Sequence, residues 1–233
     1  MELTLASSVI FQDNEGQFHI LAYAADKGQV LMDREISLPK AWTDDRERCQ
    51  EAGVPEHVEF ATKLVLARRM LERTLEHEIP FAWVTADSVY GADYHLRRFL
   101  TEHHIPYVLA VAPNHLVPLG FKEGFESIRV DDWLRRKSRQ LRWHRLSAGW
   151  GSKGPRLFDW AWWKMNAEVP EGWQAWILVR RSISDPSEIV YYRVCARNPR
   201  RRCNRSCWSP ANAGKRKKPS NVASQNADSI SMR

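Results

Sequence analysis

The sequence contains no run of 18 or more apolar residues, the length a helix needs to span a bilayer. Its opening, MELTLASSVIFQDNEG, has no positive charge ahead of an apolar stretch, so a secretory leader is not indicated either. A cytoplasmic protein is the expectation. Cysteine is scarce, with Cys49 alone and Cys195, Cys203 and Cys207 near the end. That closing cluster has no later Cys or His, so it lacks a fourth ligand and either half of a usual zinc pairing, which points to free reduced thiols.

An excess of positive charge is missing from most of the chain, although the whole carries +7. From Arg197 to Arg233 there are ten Lys or Arg against Asp228 alone, a net +9. Residues 1 to 196 then hold 25 basic and 27 acidic side chains, a net −2. The basicity belongs to the tail, and the charge total by itself does not make the body a nucleic-acid binder.

What is present is a sizeable apolar fraction, 43% of 233 residues with 11% aromatic, enough for a real core. Segments 18 to 24 (FHILAYA) and 29 to 36 (QVLMDREI) read as antiparallel strands joined by a tight turn at Ala25-Asp26-Lys27-Gly28. A short helix is expected in AWTDDRERCQEAG, with Thr43 as N-cap and Gly53 as stop, where Asp44 and Asp45 suit the positive end of the helix dipole. Apolar residues at helical spacing predict a longer helix from about His57 to Glu76. A strand at 81 to 86, a helix at 93 to 103 and a strand at 107 to 112 follow, an order that favours a parallel strand pair.

Eight of the eleven tryptophans fall between Trp133 and Trp176. LRWHRLSA, LFDWAWWKM, WQAWILVRRSI and EIVYYRVC read as four strands, with SAGWGSKGPR as a loop between the first two. The tryptophans are open to two readings, cross-strand packing or a stacking surface for bases. After about Ala196 periodicity stops and the Arg- and Ser-rich tail reads as disordered; a lost reading frame is one explanation for so abrupt a change.

The stretch WVTADSVYG, residues 83 to 91, places a lone acid, Asp87, where a β-branched and aromatic strand ends and a turn into a helix begins. Asp87 can simply cap that turn. It also stands at the C-terminal edge of a strand, where ligands and catalytic groups collect in open α/β sheets.

Three segments carry a resemblance: LAYAADKGQVLMDREISLPKAWTDDRERCQEAGVPEHVEFATK, WVTADSVYGADYHLRRFLTEHHIPYVLAV and GSKGPRLFDWAWW. They resemble the DDE-class transposases of bacterial insertion sequences, in the branch with a β-rich insertion in the catalytic domain, over roughly residues 17 to 195. The resemblance implies an α/β fold, a ribonuclease-H-like mixed sheet with flanking helices and a β-rich insertion. It suggests a division into a partial catalytic core at 1–132, the insertion block at 133–196 and the tail at 197–233.

The activity implied is DNA strand cleavage and transfer at insertion-sequence terminal repeats, with Mg²⁺ or Mn²⁺ held by three carboxylates in a two-metal site. Asp87 in TADSVYG matches the second of those acids. The first belongs on a preceding strand, for which MELTLASSVIFQ ending near Asp13 is a candidate replacement. The third, a Glu on a helix after the insertion, has no counterpart, since no Glu follows Glu188. Asp33 in LMDREI is a further candidate, on a strand expected beside the catalytic one, or else an ion-pair partner of Arg34 or another Arg. Lys153 and Arg156 are the body's candidates for phosphate contacts, and Tyr90 for the DNA backbone. The expectations are an inactive transposase fragment, truncated at both ends, or a non-catalytic DNA-binding regulator that mixes with an intact transposase.

Overall fold

A computed structural model describes residues 2–4, 17–25, 28–118, 127–151 and 154–198. The first half runs β1 (Glu2–Thr4), β2 (Gln17–Ala25), β3 (Gly28–Ser37), α1 (Lys40–Thr43), α2 (Arg46–Glu51), α3 (Lys63–Glu76), β4 (Val84–Ala86), α4 (Ser88–Ala92), α5 (Tyr94–Glu102) and β5 (Tyr107–Val111). Then come β6 (Leu116–Pro118), β7 (Ser127–Arg129), α6 (Val130–Lys137), β8 (His144–Gly151), β9 (Gly154–Met165), β10 (Trp173–Arg181) and β11 (Ile189–Arg197). No described helix is long and apolar enough to cross a membrane.

Nine strands form one mixed sheet in the order β3-β2-β1-β4-β5-β11-β10-β9-β8. β1 runs antiparallel to β2 and parallel to β4, and β4 is parallel to β5. Two antiparallel neighbours on one side and parallel strands on the other make β1 to β5 a ribonuclease-H-like sheet, as the resemblance implied. The four tryptophan-rich strands are antiparallel and join through β11, which pairs with β5 from Tyr191 opposite Val111 to Cys195 opposite Tyr107.

Several boundaries differ from the sequence expectation. The long helix starts at Lys63 rather than near His57, because the Thr62 hydroxyl accepts from the Val65 amide at 3.4 Å and sets the N-terminus there. Thr43 is not an N-cap; its hydroxyl donates to the Lys40 carbonyl at the end of α1. Asp45 caps α2 instead, accepting from the Arg48 amide at 3.1 Å, because a carboxylate also answers the helix dipole. Gly53, at φ +69°, does terminate that segment in the left-handed region glycine favours. The Gly-rich stretch around 149 to 154 is hairpin rather than loop: β8 and β9 stay paired to Gly151 opposite Gly154, with a bulge between Ser147 and Trp150 that Gly149 accommodates at φ +116°.

One core layer lies between α3, α4, α5 and the sheet, where Leu21, Met70, Leu71, Val84, Leu96 and Leu109 are fully buried. A second lies under α6, with Trp133 and Leu134 packed on Ile177 and Val179. The tryptophans mostly pack: Trp133 meets Trp163 edge-on at 6.3 Å and Trp160 stacks on Tyr192 at 6.2 Å. Trp162 is the exception, 37% exposed and stacked on His144.

Candidate functional site

Strand β4 is short, central and sealed on both sides by parallel partners, so its end is a fixed point of the fold. Asp87 follows Ala86 in extended conformation and starts α4, its Oδ1 accepting from the amides of Val89 at 2.9 Å and Tyr90 at 3.5 Å. Both readings of this acid therefore hold at once. It caps a helix, and it stands at the C-terminal edge of the parallel strands. Both capping bonds use one oxygen, and a carboxylate offers about four lone-pair sites, so capping leaves it able to take another ligand.

Behind Asp87 the backbone is pressed onto the sheet. A Cβ on Gly91 would stand 1.8 Å from the Ala110 carbonyl oxygen, so only glycine fits where α4 lies on β5. Tyr90 is placed in the interior, 3% exposed, its hydroxyl 3.4 Å from His19 Nδ1 rather than at a DNA-facing surface. Burial and then the Asp87 carboxylate push the Tyr90 phenol up to about 12. His19 is held below the ordinary imidazole range by burial and then by Lys63, and its Nε2 is enclosed with no hydrogen-bond partner among the described residues. The pair is thus neutral, a buried prop for the turn that carries Asp87.

Asp33 lies elsewhere. The strands β2 and β1 stand between β3 and β4, so the expectation that Asp33's strand neighbours the catalytic one is corrected. At roughly 4.8 Å per strand this is a separation of about 14 Å, against about 4 Å between the ions of a two-metal site. The cause is the hairpin itself, since β3 pairs with β2 on the side away from β1 and β4. Asp33 pairs instead with Arg73 of α3, whose guanidinium reaches Asp33 Oδ2 at 2.9 Å and Glu35 Oε1 at 2.5 Å. Burial works against the Arg73 charge, but the bonds to Glu35 and Asp33 outweigh it and hold its pKa above the ordinary value.

Asp13 and Lys153 lie outside the described residues. β1 does fill the sheet position of a first catalytic strand, with Leu3 and Thr4 in register with Val84 and Thr85, and neither of these is an acid. Arg156 is exposed on β9 near the hairpin end. His103 donates through Nδ1 to the Phe99 carbonyl, 2.9 Å away, as it ends α5. Among the described residues no three His, Cys, Asp or Glu side chains group closely enough to hold a metal.

Residues 6–126, more than half of the 233, match the DDE superfamily endonuclease family. The chain belongs to the DDE superfamily endonucleases. No individual curated protein matches it at a significant level. The matched region of this DDE superfamily endonuclease includes Asp87, Asp33 and the whole α4 and α5 shoulder. Such enzymes generally use divalent metal ions on DNA. In this chain Asp87 is suited to ligate one, but the described carboxylates do not fit a two-ion centre, because no group of three potential ligands forms among them and Asp33 is committed to Arg73.

Sequence reasoning missed a group of basic side chains beside this site. Arg97 of α5 donates through Nη1 to the Gly91 carbonyl at 2.5 Å. Arg193 stands opposite Leu109 on β11, and His115 follows the end of β5. The strand alternation held the signal: Tyr191, Arg193 and Cys195 share one face, so an arginine projects from a face otherwise apolar.

Proposed function

We propose that this DDE superfamily endonuclease is the DNA-engaging core of an insertion-sequence transposase, and that the chain by itself binds DNA without cutting or joining it. One observation carries the reading: Asp87, inside the family's TADSVYG pattern, ends the central parallel strand of a ribonuclease-H-like sheet. That position fits one ligand of a three-acid centre. The inactivity is supported by the ligand set, since the described residues assemble no group of three potential metal ligands. The substrate would be duplex DNA of the element's terminal repeats, and an intact transposase would be the protein partner. Arg156, and Lys153 beside it in sequence, would contribute phosphate contacts from the insertion.

The test uses the full chain with labelled duplexes carrying element ends, in Mg²⁺ and in Mn²⁺. Salt-dependent binding with no nicked or joined product is expected. Cleavage that disappears in Asp87→Ala overturns the inactivity, and a failure to bind DNA at low salt overturns the reading as a whole.

A further inference from the structure

The same sheet edge that presents Asp87 carries two guanidiniums and an imidazole. Arg97 reaches from α5 to the Gly91 carbonyl, and Gly91 lies directly on Ala110 and Leu109 of β5. Leu109 is the register partner of Arg193, so the second guanidinium rises from the adjoining strand on the same face. His115 closes the group from the turn after β5, its amide bonded to the Ala112 carbonyl at 2.9 Å and its own carbonyl to the Val130 amide at 2.8 Å.

The group is cationic through its two guanidiniums. All three side chains are half-buried, and the His115 Nε2 is fully enclosed yet has no hydrogen-bond partner among the described residues. Neither Arg97 nor Arg193 forms a salt bridge to a described carboxylate, whereas the partly buried Arg73 is matched by Asp33 and Glu35. Asp93, which accepts from the Leu96 amide at the start of α5, lends Arg97 some favourable field but forms no ion pair with it. The mutual effect is visible in protonation: burial, then Arg193, brings the Arg97 guanidinium down to about 10, and burial, then Arg193 and Arg97, brings His115 down to about 4. Like charges crowded together with no ion-paired acid are held from their preferred state, and a bound anion relieves that.

We propose that Arg97, Arg193 and His115 form a binding recess for a phosphate oxyanion. On the reading above, from which the source of the phosphate follows, the occupant is a backbone phosphodiester of DNA lying one helical turn from Asp87. Guanidinium forks match phosphate oxygens in pairs, and the unpartnered His115 Nε2, in the tautomer that carries its hydrogen there, adds a third donor. Residues 87 and 91 bracket the single turn of α4, about 6 Å of rise, so a strand crossing the recess brings its next phosphates past Asp87. The remainder of the body is close to neutral, which makes this local excess of charge distinct from the basic tail.

The test compares the full chain with Arg193→Gln and with a tail control, Arg216→Gln, by fluorescence anisotropy on a short labelled duplex over a salt series. In parallel, inorganic phosphate is titrated while the thermal midpoint is recorded. Loss of one phosphate contact in Arg193→Gln is expected to lower the salt slope by about 0.9 and the affinity by roughly tenfold near 0.1 M salt. It should also abolish a phosphate-induced rise in the midpoint that Arg216→Gln retains. Should Arg193→Gln not fold, Arg97→Gln carries the same comparison. An unchanged slope together with an unchanged phosphate response overturns the recess while leaving DNA binding intact. A phosphate response that needs Arg193, in a chain that binds no DNA, keeps the oxyanion recess and removes the transposase reading.

Discussion

Gly91 of α4 lies against the carbonyl oxygen of Ala110 so closely that a methyl group in place of its hydrogen would stand 1.8 Å away. The obstacle is main chain in the middle of β5, which cannot rotate aside as a side chain could. Gly91→Ala therefore lifts α4 from the sheet, and with it the turn that holds Asp87. Overpacking in a well-packed core costs about 1 to 3 kcal/mol, and a backbone obstacle puts this case at the upper end. Urea denaturation should show the lowered midpoint, and a midpoint within error of the parent would mean that α4 does not bear on β5 as described.

Asp87 combines a capping role with its edge position, and the two separate by substitution. Asparagine is as good an N-cap as aspartate, whereas alanine is not. Asp87→Asn should leave thermal stability nearly unchanged, and Asp87→Ala should lower it by about 1 kcal/mol. Both remove the charge that a divalent ion would need. Equal destabilisation by the two substitutions would show that the charge, not the cap, is what the fold uses.

Much of this was legible in the sequence because the signals are local. A β-branched, aromatic run followed by Asp-Ser-Val-Tyr-Gly states a strand end and a helix start within nine residues, and Asp87 lies where that pattern put it. The parallel pairing of β4 and β5 follows from the helices between them. What was not legible depends on distant partners. His19 and Tyr90 meet across 71 positions, and nothing near either residue announces the contact. The misplacement of Asp33 has the same origin, for the hairpin pattern of β2 and β3 does not say which of the two strands faces the rest of the sheet. Arg193 left a trace in the alternation of its strand, but its meeting with Arg97 and His115 required the β5 to β11 register.

The ion pair of Arg73 with Asp33 and Glu35 stabilises the packing of α3 on the sheet edge rather than any chemistry. The three side chains are between about a fifth and two fifths exposed, so solvent screens them and the network is worth at most about 1 kcal/mol. Arg73→Met should cost about that much, partly because it leaves two carboxylates close together. In the background of Asp33→Asn the cost should shrink, with a coupling of about 0.5 kcal/mol in a double-mutant cycle. DNA affinity should not change beyond the general effect of one surface charge. A selective loss of metal binding in Asp33→Asn would return this residue to the site.

His115 supplies a pH dependence whose sign is fixed by its surroundings. Its pKa falls from 6.5 to about 4 in the fold, first through burial and then through Arg193 and Arg97. The unfolded chain therefore binds a proton at this imidazole between those two values when the folded chain does not. Its contribution is fully present above about pH 6.5, falls away as pH drops, and is flat below about pH 4. Carboxylates titrate in the lower part of that window, so the comparison is made against His115→Asn, which has no proton to take up. Denaturation midpoints of the parent should fall more steeply than those of the variant between pH 6.5 and 4. Saturating inorganic phosphate should reduce the difference, because an anion beside the imidazole raises its folded pKa toward the unfolded one. Parallel pH profiles for parent and variant, with and without phosphate, would mean that His115 is not enclosed with the two arginines.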